Sequence, residues 1–124
     1  MVEVTNLSQI DQALNKGPVV LKLGSKGCIP CQEQEEVLSE LLPMYQNSAS
    51  IMLIDIKEHP EFAATFGVRV IPDTCIIAGI EDGKYMYMRP DGSKSSERQV
   101  QGSWVLPIKK PFHKLLRKLS NSEV

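Results

Sequence analysis

Two cysteines separated by two residues, Cys28 and Cys31, are the strongest chemical signal in this sequence. This spacing lets the two thiols meet in a small ring, and both redox centres and zinc sites use it. A structural zinc site needs four ligands, whereas the remaining cysteine and the two histidines are scattered along the chain. A redox pair is therefore the favoured interpretation, and a zinc-holding or binding module without turnover stays open as the alternative.

The residues around the pair predict a strand, a turn and a helix. Val19 to Leu23 is an apolar, partly β-branched run that is typical of a buried strand, and Gly24 to Gly27 form a glycine-rich turn. Pro30 suits the first turn of a helix, because that position does not need an amide hydrogen. The helix continues through Gln32 to Leu42, and we expect Pro43 to end it.

This arrangement predicts different roles for the two thiols. A thiolate at a helix N-terminus faces unpaired amide hydrogens and the positive end of the helix macrodipole. Such a position lowers the pKa of a free cysteine from about 8.5. We therefore expect Cys28 to be the exposed, partly ionised attacking thiol and Cys31, one turn deeper, to be the resolving thiol.

Hydrophobic periodicity and turn residues predict the remaining elements. They are a helix over 6–14, strands over 51–56 and 73–80, a short helix over 61–66, a strand over 84–89 that follows the turn Asp82-Gly83, an edge segment over 93–101, and a final helix over 108–119. Alternation followed by hairpins implies an α/β fold, a mixed sheet of four to five strands covered by helices on both faces. Cys75 lies inside an apolar strand and is expected to be a buried small hydrophobe.

Size and composition restrict the function classes. The 124 residues, 13.8 kDa, leave room for one domain over 1–124, and the net charge of −1 argues against a general nucleic-acid surface. The longest apolar runs are too short to cross a bilayer, and the N-terminus lacks a secretory pattern. Three cysteines do not suggest a secreted disulfide scaffold. We expect a cytoplasmic monomer without nucleic-acid or membrane partners.

Four short segments are similar, in sequence order, to elements of one known family. They are the predicted strand and turn leading into Gly27-Cys28-Ile29-Pro30-Cys31-Gln32, the stretch Asp55 to Pro60, the segment Gly67-Val68-Arg69-Val70-Ile71-Pro72, and Val100-Gln101-Gly102. On these segments the chain resembles the thioredoxin family, from about Leu7 to Leu119. The resemblance implies a thioredoxin fold, with a lengthened C-terminal hairpin region because Pro72 and Gly102 are farther apart than is typical of the family.

The same resemblance implies a protein-disulfide reductase that works by dithiol–disulfide exchange. Cys28 would be the nucleophile and Cys31 the resolving cysteine, and Pro72 would follow a cis peptide bond beside them. The residues implied for substrate binding are Gly27, Ile29, Pro30, Ile71, Pro72 and Gly102. No metal or organic cofactor is implied, and a thioredoxin-reductase-like donor would restore the dithiol in cell redox homeostasis and electron transport. A disulfide oxidase or isomerase is the second enzymatic possibility.

The chain departs from the family pattern at residues close to the cysteine pair. The family carries a buried aspartate six residues before the first cysteine, where this chain has Lys22. In the family a lysine pairs with that aspartate, and the corresponding position in this chain is Leu53. Gly24 and Gly27 replace aromatic residues. A buried lysine could favour a nearby thiolate or lose its charge through desolvation. Alternatively, Lys22 extends to the surface or pairs with a carboxylate.

Overall fold

Six strands and three helices make up residues 2–45, 49–89 and 91–98, the part of the chain that the computed structural model describes. In chain order they are β1 (Val2–Glu3), α1 (Leu7–Leu14), β2 (Val19–Gly24), α2 (Ile29–Tyr45), β3 (Ser50–Asp55), α3 (Glu61–Phe66), β4 (Asp73–Glu81), β5 (Lys84–Met88) and β6 (Lys94–Ser95). The predicted helix over 108–119 and Gly102 lie outside the described residues.

The strands form one mixed sheet in the order β1-β3-β2-β4-β5-β6. Strand β3 pairs in parallel with β1 and β2, whereas β4, β5 and β6 continue the sheet in antiparallel pairs. The prediction of four to five strands was therefore wrong by at least one strand. The missed strand is β1, which has only two residues and so carries no hydrophobic alternation to detect, whereas β6 lies within the edge segment predicted over 93–101.

Helices cover both faces of the sheet, as predicted. Side chains alternate along β2, so that Val19, Leu21 and Leu23 join the core cluster that contains Ile10 of α1 and two phenylalanines of α3. The opposite face carries Lys22, which bonds to Glu35 of α2. Helix α2 therefore lies alone, among the described helices, on the face opposite α1 and α3.

Local signals placed most helix ends correctly, with one exception. Asn6 caps α1 by accepting the amide hydrogen of Gln9, and α3 ends at Gly67 with a positive φ of 65°. The expectation that Pro43 ends α2 was wrong, because the helix continues through Tyr45. Proline removes one backbone hydrogen bond and can bend a helix without ending it.

Candidate active site

The two cysteines meet where strand β2 gives way to helix α2. Cys28 and Cys31 form a disulfide with a Cα–Cα distance of 5.2 Å. The carbonyl of Cys28 accepts the amide hydrogen of Gln32 at 3.1 Å, which is the first hydrogen bond of the helix. Cys28 therefore occupies the N-cap position of α2, where side-chain acceptors satisfy free amide hydrogens.

The sulfur of Cys28 acts as the capping acceptor. An N-cap side chain accepts from the second or third amide of the helix, and the second residue here is Pro30, which has no amide hydrogen. The amide of Cys31 is thus the donor, and it lies 3.1 Å from Sγ of Cys28. This bond and the positive end of the helix dipole both stabilise negative charge on the Cys28 sulfur when the disulfide opens.

The two cysteines differ sharply in exposure. Cys31 is fully buried, whereas Cys28 is half-buried and stands among exposed residues of the turn and first helical positions. Those neighbours are Gly27, Ile29 and Pro30, and the Ile29 side chain is 68% exposed. An incoming disulfide can therefore reach the sulfur of Cys28 more easily than the sulfur of Cys31.

The Ile71–Pro72 peptide bond is cis, as the resemblance implied. It directly precedes β4, whose first residue, Asp73, pairs with Leu23 near the end of β2. The same end of β2 leads into the turn before Cys28. The sheet register thus brings the Ile71–Pro72 segment and the cysteine pair to one end of the central strands, and both Ile71 and Pro72 are half-buried there.

Lys22 is buried on the α2 face of the sheet and pairs with a carboxylate. Its side chain is 3% exposed, and its Nζ donates to Oε1 of Glu35 at 2.8 Å. Leu53 of β3 lies opposite Lys22 in the sheet. Of the alternatives left open by the sequence, the structure shows the carboxylate pairing. Glu35 was not predicted as a partner from the sequence, although it follows Cys31 by four residues and therefore shares its face of the helix.

Gly24 explains how the lysine and the resolving cysteine come close together. A Cβ on Gly24 would lie 2.8 Å from Sγ of Cys31 and 2.8 Å from Nζ of Lys22. The sulfur and the ammonium therefore fill the space of the missing side chain, and they lie no farther apart than twice that distance. Glycine at this position is a requirement of packing, which the sequence alone showed only as the loss of an aromatic residue.

A cavity of about 290 Å³ adjoins this cluster. Its lining includes Lys22, Gly24 and Glu35, and also Asp55 at the end of β3. Burial opposes ionisation of Asp55, but the amide hydrogens of Glu58 and Lys57 outweigh it and hold the pKa of this carboxyl below its ordinary value. Charged groups of both signs thus surround the cavity behind the disulfide.

The third cysteine lies on the other face of the sheet and takes no part in the pair. Cys75 is a free thiol, 5% exposed, in the core cluster with α1 and α3. Burial raises the pKa of Cys75 to about 12, so the thiol stays protonated at neutral pH. The prediction of a buried small hydrophobe is confirmed.

The described part of the chain has neither a metal-binding cluster nor a membrane-spanning helix. Across residues 2–45, 49–89 and 91–98, no group of three or more His, Cys, Asp or Glu side chains is arranged to hold a metal ion. Within the same ranges, no helix combines the length and apolar character that a membrane crossing requires.

Comparison with known proteins places the chain in one family. Residues 1–98 match the family model for thioredoxin. A thioredoxin of Staphylococcus haemolyticus is 35% identical over 72 residues, which are 58% of this chain and 68% of that protein. A thioredoxin of Pyropia yezoensis is 29% identical over 75 residues, covering 60% of this chain and 70% of that protein.

Solved structures agree on the fold. The structure of Trichomonas vaginalis thioredoxin superposes with a TM-score of 0.68 at 13% identity, covering 95% of this chain and 96% of that one. Oxidised mitochondrial thioredoxin 3 of Saccharomyces cerevisiae superposes with a TM-score of 0.61 at 18% identity, covering 98% and 94%. The chain has the thioredoxin fold and belongs to the thioredoxin family, and Cys28 and Cys31 are the active-site dithiol of a thiol–disulfide oxidoreductase.

Proposed function

We propose that this oxidoreductase works as a protein-disulfide reductase in which Cys28 is the nucleophile and Cys31 is the resolving cysteine. One observation carries the assignment of roles. Cys28 is half-buried and its sulfur accepts a helix N-terminal amide hydrogen, whereas Cys31 is fully buried. A stabilised thiolate with access to solvent is the species that attacks a disulfide.

The exchange proceeds in two steps. The thiolate of Cys28 attacks one sulfur of a substrate disulfide, a mixed disulfide forms, and the other substrate sulfur leaves as a thiolate that takes up a proton. Cys31 then loses its proton and attacks the Cys28 sulfur, which releases the second substrate thiolate and closes the Cys28–Cys31 bond. Two electrons pass from the protein to the substrate.

The proposed substrate surface surrounds the Cys28 sulfur. Its residues are Gly27, Ile29, Pro30, Ile71, Pro72 and Gly102, of which Gly102 lies outside the described part of the chain. The exposure of the first three residues and the position of the cis segment at the same end of the sheet support this surface. The backbone of Ile71 would pair with an extended substrate segment as an added strand.

The remaining proposals concern the setting of the reaction. Thioredoxins act on disulfide-containing substrates and are reduced by thioredoxin reductase. We propose a donor of the same kind here, a cytoplasmic monomer with one domain over 1–124, and a role in electron transport for redox homeostasis. The dithiol supplies the chemistry itself, so the proposal includes no metal and no organic cofactor.

Reduction of insulin disulfides, with dithiothreitol as the electron source, tests the proposed function. We expect turnover by the unmodified protein, loss of turnover in Cys28→Ser and in Cys31→Ser, and unchanged turnover in Cys75→Ala. Full activity of Cys28→Ser would contradict the assignment. Stoichiometric zinc in a protein without activity would instead support the zinc-holding module.

The direction of electron flow needs a separate measurement. Equilibration of the purified protein with glutathione buffers gives the reduction potential of the pair, which the family resemblance does not fix because Ile29 and Pro30 separate the cysteines. A potential well above that of the cytosolic glutathione pool would favour the oxidase or isomerase over the reductase.

A further inference from the structure

A buried cation lies directly behind the resolving cysteine. Lys22 and Gly24 are two residues apart on β2, so their side-chain positions share the face that α2 covers. The ammonium of Lys22 reaches into the empty space beside Gly24, where the Sγ of Cys31 also lies. Both Lys22 and Cys31 are buried, so little solvent screens their interaction.

Glu35 offsets only part of this positive charge at the sulfur. The Glu35 side chain is 36% exposed and is therefore partly solvated, while the lysine is 3% exposed. The Nζ of Lys22 and the Sγ of Cys31 are the two atoms nearest to the side-chain space of Gly24, and no atom of Glu35 lies as close to it. A net positive field at the Cys31 sulfur follows from the different exposure of the two partners.

We propose that Lys22 stabilises the thiolate of Cys31 and thereby sets both the reduction potential and the rate of the resolving step. The inference rests on the resolving role proposed for Cys31. In that step the thiol of Cys31 loses its proton to solvent, and the sulfur carries a negative charge until it bonds to Cys28. A nearby ammonium lowers the free energy of the charged sulfur, so a larger fraction is ready to attack.

The lysine also shifts the balance between dithiol and disulfide. The sulfurs carry no net charge in the disulfide, so Lys22 stabilises only the reduced protein. Stabilising the reduced form makes a dithiol a weaker reductant. At a pH at which Cys31 is ionised in the dithiol, the protein is therefore less reducing than a variant with a neutral side chain at position 22.

Other charged or titratable side chains line the same cavity, and their effects on Cys31 must be distinguished from the effect of Lys22. They are Glu3 on β1, Lys26 in the turn, Glu35 on α2, Asp55 at the end of β3, and Glu58 and His59 after that strand. Lys26 is the matched control, because it lines the cavity as a cation, yet it is 71% exposed and pairs with Glu58. Lys26→Met removes the same formal charge without removing the buried ammonium.

Titration of the Cys31 thiolate by its ultraviolet absorbance tests the proposal in a Cys28→Ser background. Turnover is not needed, so failure here is distinct from failure of the proposed reductase activity, and Cys75 does not interfere because burial raises its pKa to about 12. We expect Lys22→Met to reduce the thiolate fraction about tenfold at a pH below the midpoint, and Lys26→Met to change it less than twofold. Equal effects of the two variants, or no effect of Lys22→Met, would overturn the proposal.

The glutathione equilibrium of the intact pair provides a second measurement. At a pH above the Cys31 midpoint, where the thiolate is present in the reduced protein, we expect Lys22→Met to favour the disulfide by about tenfold, which for a two-electron couple corresponds to a potential about 30 mV more negative. Lys26→Met should change the equilibrium constant with glutathione by less than twofold relative to the unmodified protein. A Lys22→Met protein that is less stable but has an unchanged equilibrium would show a structural role alone and would refute the inference.

Discussion

Two buried cations stand at the same end of the central strands, on opposite faces of the sheet. Lys22 lies on the α2 face, has one carboxylate partner that is partly solvated, and borders a cavity. Arg98 lies against Asp73, with side-chain exposures of 6% and 0%. The guanidinium also donates to the carbonyl oxygen of Phe66 and lies 6.0 Å from the centre of the Tyr87 ring.

The difference between the pairs separates a structural role from a chemical one. Arg98 connects the segment after β6 to the end of α3 and the start of β4, and all three partners enclose its charge. Among the residues that the structure describes, Lys22 has one ion-pair partner, which is more exposed than the lysine, and the sulfur of Cys31 lies close to it. We therefore expect changes at Arg98 to affect stability and changes at Lys22 to affect sulfur chemistry.

The largest effect is expected from Arg98→Met. Breaking a buried ion pair leaves an uncompensated carboxylate, which costs about 3–5 kcal/mol. The free energy of unfolding, measured by urea denaturation, should fall by that amount. Exposed Arg69 provides the control, and Arg69→Met should stay within about 0.5 kcal/mol of the unmodified protein. Equal stabilities of the two variants would contradict the structural role of the Arg98 pair.

Gly24→Ala tests the crowding between the lysine and the resolving cysteine. The new Cβ would lie 2.8 Å from both Nζ of Lys22 and Sγ of Cys31, and the sulfur cannot move far while it is held in the disulfide. Overpacking of this kind costs about 1–3 kcal/mol. Gly27→Ala is the matched control, because its Cβ would meet nothing within 4 Å. Urea denaturation of the oxidised proteins should give a lower unfolding free energy for Gly24→Ala but not for Gly27→Ala. An unchanged unfolding free energy of Gly24→Ala would show that Lys22 and Cys31 do not approach this position so closely.

Alkaline pH tests the burial of Cys75 on the sheet face that α1 and α3 cover. Burial raises its pKa from an ordinary 9.0 to about 12 in the folded protein. Between these values the unfolded chain binds fewer protons, so this contribution to stability is complete below pH 9 and is lost as pH rises toward 12. The oxidised protein should lose about 1.4 kcal/mol per pH unit more than Cys75→Ala. Parallel pH profiles of unfolding free energy would show that the thiol is not buried.

The smallest stability effect is expected from Lys22→Met. The partner Glu35 keeps contact with solvent, and a methionine stem can fill the space of the lysine stem. Ion pairs with such exposure contribute about 0–1 kcal/mol. Urea denaturation should therefore detect a change below about 1 kcal/mol. A loss as large as that of Arg98→Met would remove the contrast between the two cations.

Local patterns predicted those parts of the fold that local physics determines. The apolar run of β2, the Asp82-Gly83 turn between β4 and β5, and the glycine at the end of α3 each placed an element close to its observed bounds. The cysteine spacing identified the redox pair. Strand β1 was not predicted because two residues are too few to show an alternating pattern. Pro43 was expected to end α2, but the helix continues for two more residues.

Long-range partners were not predictable in the same way. Lys22 was singled out, but its carboxylate is on a helix thirteen positions along the chain. The sequence offered one indication of this pair, the four-residue spacing that places Glu35 on the same face of α2 as Cys31. Arg98 lies in a polar edge segment with no local pattern, and its partner Asp73 was assigned simply to a strand. Such pairs form between residues that are far apart in the sequence and meet only in the folded chain. Local sequence patterns therefore do not reveal them.

Trapping of the mixed disulfide tests the central claim, the division of roles between the two cysteines, most directly. Cys31→Ser and Cys28→Ser would each be treated with a peptide disulfide, and the intact masses would be measured. We predict that Cys31→Ser gains the mass of one peptide thiol on Cys28 rapidly at neutral pH, whereas Cys28→Ser gains it far more slowly. Faster capture by Cys28→Ser would show that the buried sulfur is the nucleophile and would contradict the account.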